Sequence, residues 1–256
     1  MNSALIGYTG FVGSSLATTC GFDFLINRVN LESLRGAYLK RLVCAGLPAA
    51  KWRVNQEPKQ DLENMRRLEK VLNTIHVEQF ILISTIDVYP CIEGADEAFD
   101  FSRQSNHPYG THRLQFESFV RGRFPDASIV RLPALFGPGL RKNVLYDLLH
   151  NYRLERINPA SCFQWYPLEM LREHLIRIEC LNLRLVNLFT EPIETQLIVD
   201  RFFPGIEVGH SPDPPSHYDL HTRHGEVFSR DPHYVLDKGQ VLKSMETFIH
   251  AERYRT

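Results

Sequence analysis

The stretch Ala4-Leu5-Ile6-Gly7-Tyr8-Thr9-Gly10-Phe11-Val12-Gly13 decides the reading of the fold. A short apolar run suited to a strand ends at Gly7, and the residues from Val12 to Thr18 suit a helix, so the chain opens strand, glycine turn, helix. At this spacing the first glycine permits the tight turn and the second lets backbone approach a pyrophosphate. The third lets the helix pack on the strand. The helix start then faces the ligand with unpaired N–H groups and a partial positive charge. In that context Gly7, Thr9, Gly10, Phe11, Val12 and Gly13 read as a dinucleotide cradle.

Working outward, the pattern recurs. Phe22 to Ile26 reads as a second strand, Leu31 to Leu34 as a helical turn, and Leu42 to Ala45 as a third strand ending at Gly46. Leu62, Met65, Leu68, Val71, Leu72 and Ile75 recur at helical spacing, which predicts a helix over Asp61 to Ile75. Phe80 to Ile83 follows as a buried strand ending in Ser84-Thr85, then a helix from Tyr109 to Gly122 and a strand from Ser128 to Leu132. This alternation predicts an α/β protein with a Rossmann-like, doubly wound parallel sheet. The dinucleotide-binding domain is expected over residues 1–137, with 164–190 returning to it. Residues 138–256 form a smaller substrate-binding lobe with helices at Val144 to His150, Met170 to Ile178 and Lys238 to Ala251.

At the end of the second strand, where such folds choose between a ribose hydroxyl and a 2'-phosphate, stand Asn27 and Arg28 and no acid. Arg28 suits a 2'-phosphate, and both NAD and NADP stay open as cofactors.

Lys and Arg number 29 against 30 Asp and Glu, giving a net charge of −1, so charge makes no case for nucleic acid or an anionic membrane as the main partner. The 5 cysteines never fall in a Cys-x-x-Cys pair, which argues against a disulfide framework or a zinc knuckle and for a reducing compartment. No signal-peptide pattern and no apolar run near a membrane span is present, and a cytoplasmic setting is expected. His217, Asp219, His221 and His224 have spacings that suit zinc, but the surrounding prolines and the lack of a cysteine read as a polar loop, so no metal is expected.

Further pieces extend the pattern: Cys44-Ala45-Gly46-Leu47-Pro48-Ala49, Asn64, Ser84-Thr85-Ile86-Asp87-Val88-Tyr89, Pro108-Tyr109-Gly110-Thr111-His112-Arg113, and Val130 through Gly139. In this order and spacing they resemble the extended short-chain dehydrogenase/reductases, particularly the epimerase/dehydratase branch that acts on nucleotide sugars. The resemblance implies an NAD(P)-dependent oxidoreductase, epimerase or dehydratase for a hydroxylated, sugar-like small molecule, and a homodimer built on the helices flanking the tyrosine. It implies that Thr85 and Tyr109 hydrogen-bond the reacting oxygen; Ser84 reads either as assisting Thr85 or as satisfying backbone groups at the strand end. It places Asn27, Arg28, Ala45, Gly46, Asn64, Ser84, Tyr109, Arg113 and Pro133 beside the cofactor.

Lys51, Asp87, Arg141, Asn143 and Gln164 are candidates for substrate contacts, and Arg131 for holding a phosphate or carboxylate. A tyrosinate is a fitting base, but a phenol's ordinary pKa of about 10 needs a nearby cation to bring it down. The family supplies a lysine four residues after the tyrosine; this chain has Arg113. Arginine keeps the charge but cannot pass on a proton, which leaves His112 and Lys51 as candidates to compensate. The alternative function is a catalytically impaired dinucleotide-binding protein acting as a sensor or scaffold.

Overall fold

The computed structural model describes residues 2–209 and 214–254. In chain order β1 (Ser3–Ile6), α1 (Phe11–Thr19), β2 (Phe24–Ile26), β3 (Tyr38–Cys44), α2 (Lys51–Gln56), α3 (Pro58–Leu72), β4 (His76–Thr85), α4 (Pro108–Arg123) and β5 (Ser128–Leu132) come first. There follow β6 (Ala134–Phe136), α5 (Val144–Leu149), β7 (Cys162–Pro167), α6 (Leu171–Cys180), β8 (Leu185–Asn187), β9 (Pro192–Glu194), α7 (Thr195–Phe202), α8 (Gly225–Phe228) and α9 (Lys238–Arg253). The chain divides into two units: Met1–Pro90, Phe99–Arg131 and Leu171–Val186 make the first, and Cys91–Ala98, Leu132–Met170 and Asn187–Thr256 the second.

The first unit is built on a six-stranded parallel sheet in the order β2-β1-β3-β4-β5-β8. The chain moves outward from β1 to β2, then crosses to the other side of β1 for β3, so the strand order reverses between β1 and β3. Open α/β sheets bind ligands at the carboxyl ends of the strands beside such a reversal. Ala4, Ile6, Leu42, Cys44, Phe80, Leu82 and Ile129 bury one face of the sheet in a core with Met65, Leu68 and Leu72 of α3 and Phe116 and Val120 of α4. Their neighbours Leu5, Val43, Ile81 and Val130 are also fully buried, and strand alternation turns them to the opposite face, where α1 packs on β1. A strand covered on both sides reads as an apolar run, which is why β4 and β5 stand out in the sequence.

Several elements differ from the sequence expectations at their ends. β3 begins at Tyr38 rather than Leu42, and β4 at His76 rather than Phe80, because every second one of their first four residues is exposed, which dilutes the apolar signal. The helix expected over Asp61 to Ile75 starts at Pro58, whose fixed φ suits a first helical position, and ends at Leu72. The segment from Phe22 pairs as a strand only from Phe24.

The second unit carries a three-stranded sheet in which β7 pairs parallel with β6 and antiparallel with β9. Trp165 and Tyr166 of β7 are buried, and α9, started by a capping box between Asp237 and Gln240, packs on that strand. Phe248 of α9 meets Phe136 of β6 with ring centroids 5.9 Å apart. Glu97 ties its own segment into this unit by accepting hydrogen bonds from the Asn187 and Arg223 amides and the Thr222 hydroxyl, all within 2.7 to 2.8 Å. Among the described residues no helix is long and apolar enough to cross a membrane.

Candidate functional site: a glycine cradle and a buried tyrosine on one sheet edge

At the carboxyl edge of the six-stranded sheet the sequence-predicted residues fall in a row. Asn27 follows β2, Gly7 follows β1, Ala45 and Gly46 follow β3, and Thr85 ends β4. The glycine turn and Thr85 are therefore two strand spacings apart, about 10 Å.

The glycines of the turn do different work. Gly7 has φ +89°, and a Cβ there would lie 2.3 Å from the Ala45 carbonyl oxygen; one on Gly13 would lie 2.0 Å from that of Gly7. Packing within the chain alone demands glycine at both positions. Gly10 is different: an added Cβ would meet only the Gly7 carbonyl oxygen, at 3.3 Å. It is exposed, it is the N-cap of α1, and it brings no side chain to cap the helix. The first turn of α1 thus presents its N–H groups across open space at the sheet's switch point, which fits a dinucleotide diphosphate.

Tyr8, inside the turn, accepts a hydrogen bond from Asn27 Nδ2 at 3.2 Å and ties the ends of β1 and β2 together. Asn27 Oδ1 is taken by the amides of Val29 at 2.8 Å and Asn30 at 3.4 Å, while Arg28 beside it is exposed.

Thr85 caps a turn of 3-10 helix over Ile86–Val88, its Oγ1 accepting from the Asp87 amide at 3.2 Å. Asn106 Nδ2 donates to the carbonyls of Asp87 and Val88, both at 2.9 Å, and its own Oδ1 accepts the His107 amide. His107 then caps α4, its Nδ1 accepting the Gly110 amide at 3.0 Å. Burial, with the nearby Lys51 charge, lowers the pKa of His107, in keeping with a neutral ring that accepts. Asn55 of α2 accepts the Tyr109 amide at 3.0 Å. These bonds fix the first turn of α4, and Tyr109 on it is 6% exposed.

Burial pushes the Tyr109 phenol above its ordinary pKa; the Arg113 charge opposes this, the Asp87 carboxylate adds to it, and the net shift is upward. Asp87 Oδ1 meets Lys51 Nζ at 2.5 Å, and its Oδ2 lies 3.5 Å from Thr85 Oγ1. Ser84, read either as assisting Thr85 or as satisfying backbone groups, instead donates to Glu117 Oε1 at 2.6 Å.

Arg113, one helical turn after Tyr109 on α4, is also bound to an acid of another helix. Its Nη1 and Nη2 donate to the two oxygens of Asp61 at 3.0 and 2.8 Å, and Nη2 also reaches the Pro48 carbonyl at 2.9 Å. Its guanidinium carbon stands 4.6 Å from the Tyr109 ring centre. His112, read from the sequence as a candidate to share the work of Arg113, bonds the same carboxylate, Nδ1 to Asp61 Oδ2 at 2.8 Å.

Asn64 is half-buried on α3. Pro133, Arg141, Asn143 and Gln164 belong to the second unit. Gln164 is committed inside it: Nε2 donates to the Thr190 and Leu220 carbonyls at 2.7 and 2.8 Å, and Oε1 accepts the Leu220 amide at 2.9 Å. Asn143 caps α5, accepting from the Tyr146 amide at 3.0 Å, while Arg141 is exposed. Arg131, read as an anion holder, is 1% exposed and grips Glu117 with Nε and Nη2 at 3.0 and 2.6 Å. Among the described residues no group of three His, Cys, Asp or Glu is arranged to hold a metal ion.

Asp61, Asn55 and Glu117 escaped the sequence reading. Asp61 had a signal: it precedes Met65, Leu68 and Leu72 by 4, 7 and 11 positions, so an acid occupies a place on the buried stripe of α3.

The sequence matches no family model and no curated protein. Solved structures do match. A dTDP-glucose 4,6-dehydratase from Streptomyces venezuelae, crystallised with NAD bound, superposes with a TM-score of 0.74 at 15% identity over 100% of this chain and 98% of its own. A UDP-N-acetylglucosamine 4-epimerase from Methanobrevibacter ruminantium gives 0.73 at 14% identity over 100% and 99%. A dTDP-4-dehydrorhamnose reductase from Clostridium acetobutylicum gives 0.67 at 14% identity over 99% and 100%. The chain shares their fold. At such identities the likeness carries the architecture and leaves the chemistry to be argued from the residues above.

Proposed function

We propose that the chain binds NAD or NADP on the glycine turn and acts as an oxidoreductase, epimerase or dehydratase on a hydroxylated, sugar-like substrate, a nucleotide sugar by analogy with the three solved structures. The observation that carries this reading is the shared sheet edge: an open helix start at Gly10 stands about two strands, roughly 10 Å, from Thr85, with Tyr109 fixed beside it. When bound, a nicotinamide dinucleotide supplies or accepts hydride. The protein's part is to hold the diphosphate on the first turn of α1 and to bind the reacting oxygen with Thr85 and Tyr109. Ala45 and Gly46, at the end of the strand between β1 and β4, stand between them, and Asn64 of α3 is read as a further cofactor contact. Asp87, held by Lys51, offers a carboxylate next to Thr85 for a second proton transfer.

Calorimetric titration with NAD and NADP, followed by turnover on a panel of dTDP- and UDP-sugars, tests both halves. Tyr109→Phe is expected to keep the cofactor affinity and lose turnover; unchanged turnover removes Tyr109 from the chemistry. The engagement of Arg113 with Asp61 favours a second reading, a dinucleotide-binding sensor or scaffold without catalysis. Cofactor binding with no turnover on any panel member supports that reading.

A further inference from the structure

A carboxylate at 3% exposure is strongly unfavourable unless charge and hydrogen bonds satisfy it. Asp61 is satisfied from one side, by consecutive residues of α4: the forked guanidinium of Arg113 and the ring of His112. Burial alone would raise the Asp61 pKa, but the hydrogen bonds and charge of Arg113, joined by those of His112, hold the carboxyl below its ordinary value. The Arg113 cation and the Asp61 anion therefore form a neutral pair at physiological pH. With Nη1 and Nη2 drawn to Asp61 and Pro48, the side of the guanidinium nearest its stem is left over, and Nε is buried without a partner.

The phenol of Tyr109 is surrounded accordingly. From its own helix it meets the His107 ring, with centres 6.3 Å apart, and Arg113, whose charge, shared with Asp61, draws the phenol's pKa down by less than burial and the Asp87 carboxylate raise it; Thr85 joins from the end of β4. From α2, Lys51 reaches the Asp87 carboxylate. Among the described residues, the two cations at this end of α4, Arg113 and Lys51, each hold a carboxylate, Asp61 and Asp87. A tyrosinate base needs an unpaired cation; a protonated phenol needs none.

We infer that Asp61 is a positioning residue: by holding Arg113 in a neutral pair it leaves Tyr109 as a protonated phenol, a donor matched to a carbonyl oxygen rather than a base matched to an alcohol. The inference rests on the function proposed above and narrows its substrate to a ketone or aldehyde, or to a keto form reached during turnover. In the step it implies, hydride from a reduced nicotinamide dinucleotide adds to the carbonyl carbon while the phenol O–H bond breaks. Its proton passes to the carbonyl oxygen, giving the alcohol. The phenolate is then reprotonated from solvent by way of the Thr85 hydroxyl.

The test reads the protonation state of one phenol and needs no substrate. In protein labelled with 13C at tyrosine Cζ, the signal absent from Tyr109→Phe belongs to Tyr109, and its shift separates phenol from phenolate. The wild type is expected to show phenol throughout pH 7 to 9. Asp61→Asn, which frees the Arg113 charge, is expected to lower the Tyr109 midpoint by about one pH unit or more, the scale of an unpaired cation. Phenolate in the wild type at pH 8, or an Asp61→Asn midpoint equal to that of the wild type, overturns the inference. Should Asp61→Asn not fold, the double variant Asp61→Asn with Arg113→Met, which removes the pair whole, decides: a Tyr109 midpoint close to the wild type's is expected, and one raised by about one unit or more overturns the inference. Dinucleotide binding by the same wild-type sample, measured separately, tells a failed cofactor reading from a failed assignment to Asp61.

Discussion

Replacing Arg131 with Met breaks an ion pair that lies wholly inside the first unit. Glu117 is 0% and Arg131 1% exposed, and the arginine makes two bonds to the carboxylate and a third to the Tyr89 hydroxyl at 2.7 Å. Removing one partner leaves the buried Glu117 carboxylate with the Ser84 hydroxyl and, at 3.6 Å, the exposed side chain of Arg121, and costs about 3–5 kcal/mol. A chain of 256 residues unfolds with an entropy of roughly 0.5 kcal/mol per kelvin, so a single melting transition is expected to fall by about 6–10 °C. Scanning calorimetry reads this directly. The double variant Arg131→Met with Glu117→Leu removes both charges and is expected to recover most of the loss, because apolar groups of similar volume replace a buried pair at little cost. Glu117 also accepts the Ser84 hydroxyl, next to Thr85, so the single variant is expected to disturb the site as well as the fold. A single variant melting within about 2 °C of the wild type, or a double variant less stable than either single, would refute the reasoning.

Two further outcomes are expected. Burial pushes the His174 pKa down to about 4, with the Arg177 charge adding to it. Its unfolded pKa is near 6.5, so the unfolded chain takes up a proton as pH falls while the folded chain does not. The stability it contributes is complete above about pH 6.5 and is lost as pH falls towards about 4, a decline of roughly 3 kcal/mol. His174→Phe is expected to flatten denaturant-derived stability over that window, and an unchanged slope would contradict the assignment. At the end of β2, Arg28→Ala is expected to weaken NADP binding several-fold and leave NAD unaffected, as measured by calorimetry; equal losses for both would remove Arg28 from the 2'-phosphate site.

The sheet was legible because buried parallel strands and glycine turns leave local marks. β1 with its turn, the helical turn at Leu31–Leu34, β5 and α9 stand close to where the residues place them. The second unit was read less well, because β6 and β9 are three residues each, too short for a periodicity; in the first unit α2 escaped because it buries only Val54. In the site, the positions of Thr85, Tyr109 and Arg113 follow from local spacing, but what Arg113 bonds does not. Its partner Asp61 lies 52 residues away on another helix. An acid in the first turn of α3 reads equally as a favourable charge near a helix start, and only its burial exposes the difference. Gln164 shows the reverse: an amide beside aromatics suggests a pocket, yet backbone carbonyls 26 and 56 residues off draw it into the core of its unit.

Titration calorimetry of the wild type and Gly10→Asp with NAD and NADP bears most directly on the cradle. Gly10 is an exposed N-cap with φ −81° and ψ 169°, where aspartate is a favoured capping residue, so the variant is expected to fold with its melting temperature intact or raised. Its carboxylate would stand where the diphosphate must approach. The wild type is expected to bind at least one dinucleotide, and at a concentration 100 times the dissociation constant to gain about 2.7 kcal/mol of stability; the variant is expected to lose tenfold or more in affinity. No heat with either dinucleotide in the wild type, or equal affinity in Gly10→Asp, contradicts the cradle.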